Sequence, residues 1–163
     1  MAMMRFRGLD EYLHQLQRMQ KNTPETIGKI VYEMANIVAN EVKKNIDALP
    51  AEPDVEALAA YQKKTEPPIT ISQKKGLQEG FGITPMQEER GYWNVKLGFD
   101  GYNSTKTKKY PQGQPNVMIA RSIESGSSIR KKHPFVRPAV NKSRKEAEKK
   151  AQEILERELK KDM

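Results

Sequence analysis

The chain has 163 residues, of which 36% are hydrophobic and 31% charged, with a formal net charge of +8 and no cysteine. That composition allows a modest core and a highly charged exterior, and it excludes disulfides, thiolate chemistry and cysteine-based zinc sites. The positive balance favours nucleic acid, an anionic surface or an acidic partner, although much of the lysine alternates with glutamate in what read as solvated helix faces.

The opening MAMMRFRGLDEYL carries charge where a signal peptide needs an apolar stretch. No uncharged apolar run reaches the roughly 18 residues of a membrane-crossing helix. The expectation is a soluble protein, not secreted by the general route and making no membrane contact.

Gly8–Asn22 places Leu9, Tyr12, Leu13, Leu16 and Met19 at helical spacing. Thr23 and Pro24 then form a helix start, because Thr caps well and Pro fits the first turn. From there Ile27, Val31, Met34, Val38, Val42 and Ile46 recur every three or four residues, which predicts a long central helix ending near Ala48, before Pro50. Residues 49–68 are a proline-flanked connection in which Asp54 could cap a short helix through Tyr61. Ile69–Ser72 reads as a brief strand, with Ser72 capping a single turn as the alternative.

The middle reads as β. Leu77, Phe81 and Ile83 lie in a segment broken by Gly80 and Gly82, and Trp93–Phe99 alternates apolar with polar or small residues. Glu88-Glu89-Arg90-Gly91 is the expected turn, and the long helix is expected to cover the face bearing Trp93, Val95, Leu97 and Phe99. Residues 100–116 are rich in Gly, Asn, Ser, Thr, Lys and Pro and predict a mobile loop. Val117–Glu124 fits a helix face better than strict alternation. From Pro138 onward the chain is helical again, with a narrow stripe through Val140, Ala147, Ala151, Ile154 or Leu155, and Leu159. The fold class predicted is α+β: a long central helix on a small antiparallel sheet, with N-terminal and C-terminal helices, in one domain.

The stretch IARSIESGSSIRKKHPFVRPAVN, residues 119–141, holds the candidate chemistry. Glu124, Ser127 and His133 tempt a hydrolase reading, but no G-x-S-x-G elbow is present and nearness in sequence is not how triads are built. The two histidines, His14 and His133, have no metal-ligand spacing, and no phosphate-binding glycine loop occurs. No cofactor is expected, and no catalytic residue is assigned. Nucleic-acid binding is the rival reading: Lys106, Lys108 and Lys109, with Arg130, Lys131 and Lys132, could neutralise phosphates from two loops. The remaining element, Pro134-Phe135-Val136-Arg137-Pro138, has prolines that restrict the backbone on both sides, and an arginine able to pair bidentately with a carboxylate, for which Glu124 is a candidate, within the domain or on a neighbouring copy.

The order Ile119-Ala120-Arg121-Ser122-Ile123-Glu124-Ser125-Gly126-Ser127, a basic linker, then Pro134-Phe135-Val136-Arg137-Pro138-Ala139 and a charged last helix, resembles a family of tail-component, tail-completion and head–tail joining proteins of long-tailed bacteriophages and prophages. Where that family usually carries an aromatic before the glutamate, this chain has Ile123. The resemblance implies a non-enzymatic virion subunit, working in a ring (often sixfold) at the head-proximal end of the tail. Its partners would be copies of itself, the tail tube and the head connector, with DNA contact as a further option. Its place would be the bacterial host cytoplasm during assembly and then the virion tail or head–tail junction. Glu124, Gly126, Phe135, Arg137 and Pro138 are the assembly residues it singles out.

Overall fold

The computed structural model describes residues 23–161. The helix expected over Gly8–Asn22 lies outside them. In chain order the elements are helices α1 (Thr23–Asp47), α2 (Asp54–Gln62) and α3 (Ile71–Gly80), strands β1 (Phe81–Ile83), β2 (Gln87–Glu89), β3 (Tyr92–Asn94) and β4 (Leu97–Phe99), then helices α4 (Asn116–Ser125) and α5 (Val136–Lys161). The architecture is α+β, as the periodicities predict.

The stripe of α1 becomes the core. Ile27, Ile30, Met34, Ala35, Val38, Ala39, Val42 and Ile46 are all buried. Its main partner is α5, and the two run antiparallel: Asn45 donates to the Phe135 carbonyl at one end, and Glu41 pairs with Lys142 further along. The face α5 turns inward is Ala139, Ser143, Ala147, Ala151, Ile154 and Leu155. Four of those six are small, so the backbones can approach closely. The narrow alanine stripe therefore lies along α1 itself.

The β segment is one long interrupted hairpin. β1 pairs antiparallel with β4 in the register Phe81↔Phe99 and Ile83↔Leu97, and β2 pairs with β3 as Gln87↔Asn94 and Glu89↔Tyr92. Between the two pairs, the Thr84 N–H donates to the Lys96 carbonyl and the Lys96 N–H to the Thr84 hydroxyl. The turn is tighter than expected. Only Arg90 and Gly91 occupy it, both at positive φ (51° and 82°), as a two-residue hairpin turn requires, while Glu88 and Glu89 belong to β2. Val95 and Leu97 are buried in the core, with Phe81 and Phe99 packed against it.

One sequence expectation is corrected. Residues 69–80 hold no strand; Ile71–Gly80 form α3, started by a capping box in which Thr70 accepts from the Gln73 N–H and the Gln73 side chain accepts from the Thr70 N–H. Leu77 is thus a helix residue, fully buried. Residues 100–116 form a closed loop tied by its own hydrogen bonds. The Asn103 carboxamide oxygen accepts from the Thr105 and Gln114 N–H groups, and Thr107 and Tyr110 exchange backbone hydrogen bonds.

Candidate assembly site at the head of α5

Glu124 sits in the last turn of α4 and faces the start of α5. One carboxylate oxygen accepts from the Phe135 and Val136 N–H groups at 2.7 and 2.8 Å, and the other accepts from the Arg137 N–H at 2.9 Å. A helix start leaves its first N–H groups without intrahelical partners. Here one carboxylate takes three of them, and the next residue, Pro138, has no N–H to satisfy. The negative charge also lies at the positive end of the helix dipole. The motif E…PFVRP is in this sense a helix cap contributed by another helix.

Within the domain, that arrangement replaces the pairing of Glu124 with the Arg137 guanidinium: the bond comes from the Arg137 backbone, and its side chain is exposed. It also moves the helix start from Pro138 to Val136. Both Glu124 oxygens are engaged by backbone donors, so this carboxylate is committed to holding α5 in place.

Phe135 is the bolt beneath the cap. It is buried, and its ring meets Phe99 edge-on at 6.0 Å, while Phe99 meets Phe81 at 5.2 Å. Three aromatic side chains from β1, β4 and the head of α5 therefore share one cluster, an arrangement favoured by ring electrostatics as well as by burial. Gly126 ends α4 at φ 80°, and a Cβ there would press on the Lys132 backbone, 3.0 Å away. Both facts require glycine. The chain then turns through Ser127, whose hydroxyl accepts from the Ile129 and Arg130 N–H groups, and the His133 N–H donates to the Ile123 carbonyl.

The basic residues divide into two kinds. Lys106, Lys108, Lys109, Lys131 and Lys132 are exposed. Arg130 is not: only 9% of it is accessible, and its guanidinium donates to the Pro68 carbonyl and the Gln73 side chain. This corrects its assignment to a surface patch. Burial lowers the Arg130 pKa from its ordinary value, and the Glu66 carboxylate opposes that shift.

Arg130 enters a buried polar relay that the sequence reading missed. Gln73 accepts from Arg130 and donates to Gln114, and Gln114 accepts from Asn103. The relay joins the 66–70 connection, α3, the 100–116 loop and the 126–135 turn. Beside it Asn116, the first residue of α4, fits against Gly76 and Gly80 of α3 and donates to the Asp100 carbonyl at 2.8 Å. The sequence signals were Thr70-x-x-Gln73 and the four-residue spacing of Gly76 and Gly80.

A depression of about 480 Å³ on the hairpin's outer face, between Gly82, Gly98, Thr84, Pro85 and Asp100, has Asp100 as its one ionisable lining residue. It offers no acid–base pair. Among the described residues no group of three or more His, Asp or Glu side chains could hold a metal, and no helix is long and apolar enough to cross a membrane.

Comparison of the chain with protein-family models, with curated proteins and with solved structures finds no match.

Proposed function

We propose that this chain is a structural subunit of a tailed phage or prophage, acting in tail completion or head–tail joining as part of a ring. The observation that carries the reading is the 119–139 motif, in which Glu124, Gly126 and Phe135 all serve to fix α5 at a set angle to α4 and the hairpin. A motif whose one carboxylate is spent on positioning a 26-residue helix suits a building block better than a catalyst. The exposed lysines keep a second reading in view, a basic module contacting DNA through Lys106, Lys108, Lys109, Lys131 and Lys132.

Removing the coding sequence from the phage or prophage that carries it tests the first reading. Electron microscopy should then show heads and tails unjoined, or tails of abnormal ends, with joining restored by the wild-type chain in trans. Normal infectious particles made without the chain would overturn it. For the second reading, duplex affinity should fall steeply with salt and drop when the five exposed lysines are neutralised; affinity indifferent to both would dismiss it.

A further inference from the structure

We propose that α2 is a docking arm for a second copy of this chain, received by the basic face that the 100–116 loop and α4 present. The proposal rests on the reading of the chain as an assembly subunit. α2 has nine residues and none of them is buried. Helices this short are marginal in water without packing. Yet Val55, Leu58 and Tyr61, at three-residue spacing on its outward side, are 69%, 60% and 75% exposed, and Ile71 beside its base is 55% exposed. The arm is anchored at its ends: Glu52 and Thr70 form a bridge, Asp54 accepts from the Ser72 hydroxyl at 2.7 Å, and Glu66 accepts from the Lys131 N–H. Among the described residues, none covers its apolar side.

Charge indicates the occupant. Residues 52–66 carry Glu52, Asp54, Glu56 and Glu66 against Lys63 and Lys64, an acidic stretch on a chain of net charge +8. Residues 101–123 carry Lys106, Lys108, Lys109 and Arg121 and no acid. That second stretch also exposes apolar surface, Tyr102 at 59% and Val117 at 42%, with Val117 and Arg121 one turn apart on α4. An acidic, apolar arm and a basic, apolar face on one chain are complementary between copies. Such a contact is head-to-tail, so it propagates and closes into a ring when the rotation per subunit allows. Few apolar side chains take part, so a single contact is weak and concentration-dependent, and a ring gains by closing with every subunit held twice.

The test uses the full chain and sedimentation velocity across concentration. The wild type should gain mass with concentration and lose it as salt rises. Leu58→Asp should abolish the gain, and so should the triple change Lys106→Glu, Lys108→Glu, Lys109→Glu. Mixing the two variants should restore one contact only, giving a species of exactly two chains and no larger assembly. Each variant should keep the wild-type unfolding temperature, because every altered side chain is exposed. A wild type that stays monomeric throughout, association that survives Leu58→Asp, or a mixture with no dimer would each overturn the docking proposal. The tail role would still be decided separately by particle morphology.

Discussion

Glu124 shows how much one side chain can determine. Its three backbone donors are the groups a helix start cannot satisfy by itself, and hydrogen bonds to a charged acceptor are worth about 1.5–3 kcal/mol when the partner is removed. Glu124→Gln should therefore lower stability by about 1.5–3 kcal/mol, read as a shifted urea midpoint at unchanged slope. An unmoved midpoint would mean that water replaces the cap without loss. The sequence pointed to Glu124 and to the proline-flanked segment, and even to a bond between them, but assigned the donor to the Arg137 side chain. Nothing in residue type distinguishes a guanidinium from the three amides around it; only the helix start at Val136 does.

Gly76 and Gly80 reverse a general rule. Alanine for glycine inside a helix usually gains up to about 1 kcal/mol. Here a Cβ at Gly76 would collide with the Asn116 side chain, and one at Gly80 with the Asp100 carbonyl. Either change to alanine should cost about 1–3 kcal/mol, as overpacking does, whereas Gly82→Ala meets open space and should be tolerated in the same thermal melt. Equal melting temperatures for Gly76→Ala and the wild type would contradict the close packing of α3 on α4.

Among the elements, the long helices were legible because their period is long and uniform. The α1 stripe of apolar residues is unbroken over about five turns, from Ile27 to Ile46, and its burial follows directly. Of the short elements, the sequence offered α2 and favoured α4 to within a residue of their ends, but it missed α3, for a physical reason. Ile69-Thr70-Ile71 has β-branched residues suited to a strand, but the Thr70–Gln73 capping box starts a helix there instead, and tertiary contacts to Asn116 reward it. Likewise, the composition of 100–116 is the same whether the loop is free or closed. What closes it is the side chain of Asn103, buried and bonded at both oxygen and nitrogen, and such a role has no signature in a single sequence. Replacing Asn103 by Ala should raise amide exchange across 101–115 while leaving the α1–α5 core protected. Uniform protection in both proteins would show that the loop holds without it.

The α1–α5 pair also carries the electrostatic seam of the fold. Lys44, and with it Lys142 from the facing helix, holds the Glu41 carboxyl below its ordinary value. A carboxylate lowered in the folded state adds stability that is complete above its unfolded value and is lost as pH falls through the folded one. Glu41→Gln should accordingly make stability less sensitive to acid between neutral pH and the bottom of the carboxylate range. An acid limb identical to that of the wild type would remove Glu41 from the seam.

At the scale of the whole molecule, two properties belong together. A long helix pair and a capped junction give a firm body, and an acidic arm with bare apolar side chains projects from a chain that is basic elsewhere. Composition alone made the charge visible, but not its separation into an arm and a receiving face, which depends on no residue of α2 being buried among the described residues. Arg130 points the same way: counted with Lys131 and Lys132 it looked like one basic cluster, and folding withdraws it into the relay with Gln73 and Gln114. The measurement that bears most directly on the central claim is the position of the chain in purified particles, by gold labelling of a tagged copy under the electron microscope. The account predicts label at the head-proximal end of the tail, at a constant number of copies per particle. Particles free of label, with the chain recovered only in the unassembled fraction, would contradict it.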